Sequence, residues 1–521
     1  MILANLANEI AIEANLKQFL IVLLVSLTVA TLSQSLTFFR QIPYTLLLVI
    51  AGLCLAFLDV RLVNLSPELI LLIFLPPLLF EAAWNLQWPR LKKDLIPISI
   101  YAVLGVVISV AGVALSLEKV PGISLATALL VGASVSATDP VSVIALFREL
   151  GVDKRLSTLM EGESLFNDGI AVVAFTFLLG FSYGSTQFSL PLLLIQFLTF
   201  VGVGVGVGSL IGFGISYITQ RFDLPYVEQS ATLVSAYGAY LIAEDFGGSG
   251  VIAVVITGLI LGNFGSRIGM NPRTRLVVTE FWEFIAFFVN SIVFLLIGDQ
   301  ISFSSLGENL VPISVAITAV ILTRALAIYG LGGLSNWLAK SHISLPEQTI
   351  LWWGGLRGSV SIALALSVPE NLPGRSTTIA IVFAIVLFTL LVQGLTTKPL
   401  LEKLGLIKNQ VLQAKYLQLL AQRSAIEQVL NRVENMATKS EIKLDFQKDM
   451  AKALAKKQTK IEADIKDLQE QNPDLRDIPT QQLTNELIDL EADTYARLIR
   501  AGKLKEFPEL LMPEMLLEKS E

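Results

Sequence analysis

Long apolar runs separated by short polar connectors dominate the chain as far as about residue 402, and beyond it Leu, Ile and Val alternate with Lys, Glu and Gln. A bilayer core of ~30 Å takes about 20 apolar residues as a helix, and lipid offers no partner to backbone N–H and C=O groups, so such runs cross as helices. Thirteen stretches meet the requirement: 16–36, 43–58, 66–84, 94–117, 122–148, 156–182, 189–219, 227–245, 249–265, 278–299, 309–335, 346–369 and 376–402. The pattern predicts an all-α polytopic membrane protein. After the last span, VLQAKYLQLLAQRSAIEQVL and IEADIKDLQEQ have the spacing of amphipathic helices, with Pro473 and Pro479 breaking the run. Residues 1–406 are therefore read as a transmembrane domain and 407–521 as a cytoplasmic helical tail, either a solvated extension or a regulatory or dimer-contacting domain.

Composition strengthens this division. Of 521 residues, 53% are hydrophobic and 16% charged, whereas soluble domains carry about a quarter charged residues. Charged side chains number 44 before residue 407 and 38 after it, so the tail is about three times as charged per residue. Cys54 and His342 are the only residues of their kinds, which leaves too few ligands for zinc, haem or a disulfide framework, and no cofactor is expected. A net charge of −6 gives no reason to expect nucleic acid.

Orientation follows from basic residues in the connectors. The first span is not a cleaved signal, because Glu9, Glu13 and Lys17 precede a long apolar run. One set of alternate loops holds Arg40, Arg90, Lys92, Lys93, Arg148, Lys154, Arg155, Arg221, Arg267, Arg273, Arg275 and Lys340, twelve in all; the opposite set holds three, Arg61, Lys119 and Arg375. Basic residues near span ends stay in the cytoplasm, so the N-terminus is expected outside and the tail inside, with the plasma (cell inner) membrane as the default location.

Two spans carry interruptions. In the fifth, Pro140 removes a donor and disfavours helix at Asp139, so SATDPVS is expected to break with free carbonyls near Thr138. In the twelfth, Gly354, Gly355 and Gly358 surround Arg357. Interrupted helices in both halves of a transporter point to an ion or substrate site at mid-membrane. The glycines of VGVGVGVGSLIGFG look at first like a nucleotide loop, but no Lys-Ser/Thr follows, and Gly204, Gly208 and Gly212 recur every four residues as in close helix packing.

Ionisable groups inside spans are costly unless paired or hydrated, which makes them functional candidates. The sixth span has the densest set, Glu161, Glu163, Ser164, Asn167 and Asp168. Residues four apart share a helix face, so Glu163 with Asn167 and Ser164 with Asp168 form two adjacent polar ridges. Arg357 and Arg324 are the positive charges deep in other spans, and Arg357 is expected to neutralise one sixth-span carboxylate. A second, unpaired acid then binds a cation or a proton, but not both. With oxygen ligands from Ser, Thr and backbone, that competition suits an alkali ion and is sufficient for exchange.

The runs SATDPVSVIALFRELGV, EGESLFNDGIAVV, FWEFIAFFVNSIVFLLIG, LTRALAIY and WGGLRGSVSIALALSVP, in order within residues 16–402, resemble the monovalent cation:proton antiporter-1 family. The likeness is to its bacterial NhaP-type sodium/proton antiporters and, more distantly, the animal sodium/proton exchangers. The resemblance implies that Asp168 is the essential ion-binding aspartate, that Asn167 shapes the site, and that Ser164 is a side-chain ligand. Thr138 would contribute its carbonyl and Asp139 would act through water, so that Asp168, Ser164 and Thr138 hold the alkali cation. It further implies a buried ion pair between Glu163 and Arg357, and supporting roles for Glu81, Glu283, Asn290 and Arg324. Electrogenic relatives carry two adjacent aspartates where this chain has Asn167 and Asp168, so electroneutral exchange of one Na+ (or Li+) per H+ is implied. So are a homodimer in membrane lipid and a moving six-helix core of inverted repeats containing spans five, six and twelve. Potassium/proton exchange at the same site, a cation channel, and a membrane-anchored sensor acting through its tail are the rival readings.

Overall fold

The computed structural model describes residues 2–35, 42–58, 62, 66–182, 190–219, 224–266, 270, 272–301, 303–339, 342–407, 410–437, 444–471, 487, 490 and 494. Pro473, Pro479 and the connector residues Arg40, Arg61, Arg221, Arg267 and Lys340 lie outside this set. The chain divides into two compact units, one running to Leu406 and the other beginning at Ile407.

Among the described residues, the first unit is helical throughout, and each of the thirteen predicted spans contains a helix. These are α1 (Ile2–Ser35), α2 (Tyr44–Phe57), α3 (Leu69–Asn85), α4 (Leu95–Leu117), the pair α5 (Leu125–Ser134) and α6 (Val141–Leu150), α7 (Lys154–Ser182), α8 (Leu190–Thr219), α9 (Pro225–Asp245), α10 (Gly250–Gly265), α11 (Pro272–Asp299), α12 (Leu310–Ala339), the pair α13 (Leu345–Trp353) and α14 (Ser359–Leu366), and α15 (Arg375–Lys403). Short helices Trp88–Lys93 and Phe303–Glu308 join spans and were not foreseen. Neither were the π-helical turns Leu69–Phe74, Leu261–Gly265 and Thr389–Gly394 within α3, α10 and α15.

Local chemistry explains the ends. Ser124 and Ser249 accept the N–H of the residue three positions on, and Ser344 with Glu347 forms a reciprocal capping box, so orphan donors at three helix starts are satisfied. Gly151 closes α6 at φ 65°, a left-handed conformation that favours glycine. The order long helix, broken helix, long helix occurs twice, as α4 to α7 and α12 to α15. Each member of the second triplet lies seven spans after its counterpart in the first, an odd number, so the two cross in opposite senses and form inverted repeats.

Close packing uses small residues, as membrane helices require where apolar burial alone gives little drive. Side chains at Gly52 or Gly298 would collide with the facing backbone, so α2 and α11 cross backbone to backbone. A Cβ at Gly204 would lie 2.8 Å from the Ser249 carbonyl, one at Gly208 2.5 Å from that of Ala253, and one at Gly212 2.9 Å from Ile260 Cβ. The glycine run of the seventh span is thus a packing seam of α8 against α10.

The second unit contains α16 (Gln410–Ala437) and α17 (Leu444–Gln471). They pack through Tyr416, Ile426, Ile461, Ile465 and Leu468, and Gln469 Nε2 donates to Tyr416 Oη at 2.7 Å.

Candidate functional site

The two broken helices meet at their breaks. Asp139 N–H donates to the Leu356 carbonyl at 2.8 Å, one backbone bond tying the interruption of one repeat to that of the other. The Asp139 carboxylate accepts from Val141 N–H at 3.1 Å and from Ser359 N–H, so it sits at the N-termini of both α6 and α14, where helix dipoles favour an anion. Gly358 is needed there, because a side chain would occupy the place of that carboxylate. Arg357 answers the opposite end: its Nη1 donates to the carbonyls of Ser136 at 3.4 Å and Ala137 at 3.2 Å, just past the C-terminus of α5. A helix end leaves such acceptors unpaired, and a cation suits their partial charge.

This corrects one expectation from the sequence. Glu163 does not pair with Arg357; it takes the fork of Arg324, with Nη1 to Oε1 at 3.1 Å and Nη2 to Oε2 at 3.0 Å. Arg324 Nη2 also donates to the Leu351 carbonyl at 2.9 Å. Arg357 is fully buried, yet the helix-end carbonyls meet much of its hydrogen-bonding demand, which leaves Glu163 to the planar bidentate partner on α12. Gly355 makes room for it, since a side chain there would collide with the guanidinium.

The two polar ridges of α7 face different surroundings. On one, Asn167 Nδ2 donates to Glu163 Oε1 at 3.0 Å and to Thr138 Oγ1 at 2.7 Å, and its Oδ1 accepts from Thr138 N–H at 3.2 Å. Asn167 therefore clasps the broken strand of span five. On the other, Ser164 Oγ donates to the Thr138 carbonyl, and Asp168 is 8% exposed with Oδ1 lacking a hydrogen-bond partner.

Asp168, Ser164, Thr138 and Asp139 line a cavity of about 360 Å³, together with Glu81, Glu283 and Asn290. Glu81 accepts from Asn85 Nδ2 at 2.6 Å, and Asn290 is buried while Glu283 is exposed. The structure thus gathers every sequence-predicted site residue except Glu163, Asn167, Arg324 and Arg357 into one cavity lining, and those four stand behind it. Arg148 and Glu161 also line the cavity, with Nη2 and Oε1 3.6 Å apart and Arg148 the more exposed. The connector charge Arg148 is thus also a lining residue, and its place in the last turn of an amphipathic half-helix is the sequence signal for it.

Two interrupted helices meeting beside a cavity-facing buried carboxylate define an ion-coupled secondary transporter, not an enzyme. Residues 21–403 match the family described as sodium/hydrogen exchanger, transmembrane. The Na(+)/H(+) antiporter ApNhaP of Aphanothece halophytica is 61% identical over 98% of this chain and 98% of its own length. The low-affinity Na(+)/H(+) antiporter NhaS1 of Synechocystis is 55% identical over 96% of this chain and 95% of its own. Among solved structures, that of the sodium proton antiporter MjNhaP1 from Methanocaldococcus jannaschii at pH 8 superposes with a TM-score of 0.63 at 22% identity, covering 75% of this chain and 99% of that one. The chain belongs to the sodium/hydrogen exchanger family, and it is an integral membrane protein.

Proposed function

We propose that the protein exchanges Na+ for H+ across its membrane by letting the two compete for Asp168. The observation that carries this reading is the Asp168 carboxyl group, its Oδ1 unpartnered, in one cavity lining with Ser164 and Thr138. Hard oxygen donors of this kind suit an alkali cation. When Na+ occupies the site, Asp168 is ionised and Ser164 turns its lone pair inward; when the ion leaves, a proton neutralises the same carboxylate. Glu163 takes no part in the exchange, because Arg324 holds it. Asn167 is uncharged and fully engaged, which supports a stoichiometry of one cation per proton and electroneutral transport. The relatives named as Na(+)/H(+) antiporters support sodium over potassium, and one asymmetric acid site beside two broken helices suits alternating access better than a channel.

Positive residues favour the Arg148 side of the membrane as cytoplasmic. On that orientation the cavity, with Arg148 in its lining, faces the cytoplasm, the tail is cytoplasmic, and the cell inner membrane is the expected location. A homodimer embedded in lipid accords with the family resemblance and is checked by cross-linking in native membranes.

The test is sodium-driven collapse of a preset pH gradient in proteoliposomes. Saturable sodium-dependent proton movement that persists under a voltage clamp is expected, and a response to potassium alone would replace the substrate while keeping the site.

A further inference from the structure

Behind the ion site, on the Glu163 and Asn167 side of α7, lies a second and much smaller cavity. Tyr101, Ser109, Ser136, Arg324 and Arg357 line it along with those two residues. Its volume of about 10 Å³ is that of roughly one water-sized probe. Four side chains in this lining carry a buried polar atom with no hydrogen-bond partner among the described residues: Tyr101 Oη, Ser109 Oγ, Arg324 Nε and Arg357 Nε. Tyr101 is 2% exposed, Ser109 5%, Arg324 9% and Arg357 1%. Leaving one such group unmade costs about 1–3 kcal/mol, and native interiors resolve such clusters with ordered water.

The chemistry of the four atoms specifies the ligand. Each arginine Nε can only donate, whereas each hydroxyl can accept. We propose that this pocket is a binding site for a single structural water molecule, which accepts from Arg324 Nε and Arg357 Nε and donates to Tyr101 Oη and Ser109 Oγ. Two bonds received and two given fill the tetrahedral capacity of water. A halide would need all four groups to donate, whereas a water lets both hydroxyls accept, and the Glu163 carboxylate in the same lining disfavours an anion.

The water joins two arginines that otherwise touch different parts of the core. Arg324 orients Glu163, Glu163 accepts from Asn167, and Asn167 holds Thr138 at the break. Arg357 holds the carbonyls of Ser136 and Ala137 immediately before it. Tyr101 and Ser109 on α4 are thus positioning residues, acting on the cation ligands through the water and two arginines. Only this last step rests on the exchange reading.

Electron cryo-microscopy of the full chain in nanodiscs, at a resolution where buried waters elsewhere are visible, should show one density within hydrogen-bond reach of the four atoms. A pocket without density, or with a heavier scatterer that follows added bromide, overturns the assignment. Ser109→Val should fill the pocket, abolish the density and raise the sodium concentration for half-maximal exchange on the order of tenfold, as loss of outer-shell support does at metal sites, while maximal turnover is retained. Tyr101→Phe removes one acceptor, should keep the density, and should raise the same quantity less than Ser109→Val. Density in the wild type with unchanged half-saturation in both variants overturns the positioning role alone. Should the wild type fail to exchange sodium, the density still decides the water.

Discussion

Two carboxylates five residues apart on α7 meet opposite fates. Glu163 gives both oxygens to the fork of Arg324, whereas Asp168 lines the cavity and its buried Oδ1 has no hydrogen-bond partner among the described residues. The same helix therefore carries one negative charge that is locked and one that is available. The difference teaches that a partner, not burial, separates a structural acid from an exchanging one. Both residues are almost fully removed from solvent, at 3% and 8% exposure.

The sharpest break in this comparison is Asp168→Asn, which removes the available charge and keeps the shape. Exchange should fall to the rate of protein-free liposomes while the thermal unfolding temperature stays within a few degrees; a variant that exchanges at half the native rate would remove Asp168 from the mechanism. Next in size is the locked side. Glu163→Gln or Arg324→Gln alone leaves one buried charge without its partner and should destabilise the fold by about 3–5 kcal/mol, with the double variant losing less than the sum of the two single losses. A thermal-shift double-mutant cycle with additive losses would show that the pair is not coupled.

A third measurement uses pH. Protons and Na+ that compete for Asp168 must raise the sodium concentration for half-saturation as pH falls, approaching about tenfold per pH unit once the proton dominates, and the effect must vanish at high pH. A half-saturation independent of pH while maximal rate changes would place the proton elsewhere. Fourth, Ser164→Ala deletes a donor to the Thr138 carbonyl and a candidate ligand; roughly tenfold weaker sodium half-saturation is expected in the same assay. The smallest effect lies in the cavity lining. Arg148→Gln removes a cation and frees Glu161 at 3.6 Å, so half-saturation should drop about two- to threefold at low ionic strength and return to the native value at high salt.

Much of the architecture was legible because the governing signals are one-dimensional. Apolar runs of span length, Pro140 after Asp139, and three glycines around Arg357 are each sufficient to place a helix or its break. The ridges of α7 were legible for the same reason, since four-residue spacing needs no tertiary knowledge. The partner of Glu163 was not. Arg324 and Arg357 are both buried arginines on later spans, and choosing between them requires knowing that the end of α5 presents the Ser136 and Ala137 carbonyls to Arg357. That acceptor set is made by the break itself and has no side-chain signature. The π turns of α3, α10 and α15 were equally silent, because an added residue in a uniformly apolar run alters no pattern. Tyr101 and Ser109 looked like ordinary members of an apolar span until the two arginines were placed beside them.

The Arg324–Glu163 pair also sets a schedule for biosynthesis. Its members are 161 residues apart in the chain, and ribosomes add about 5–20 residues per second. Glu163 thus enters the membrane region roughly 8–30 s before its partner is made, far longer than a helix needs to form. During that interval the nascent α7 holds its acids without the arginine that will bind one of them, so it must remain beside water or the insertion machinery until α12 arrives. Maturation of the first half is thereby made conditional on translation of the second, and a chain truncated before residue 324 should be cleared from the membrane, not accumulate in it.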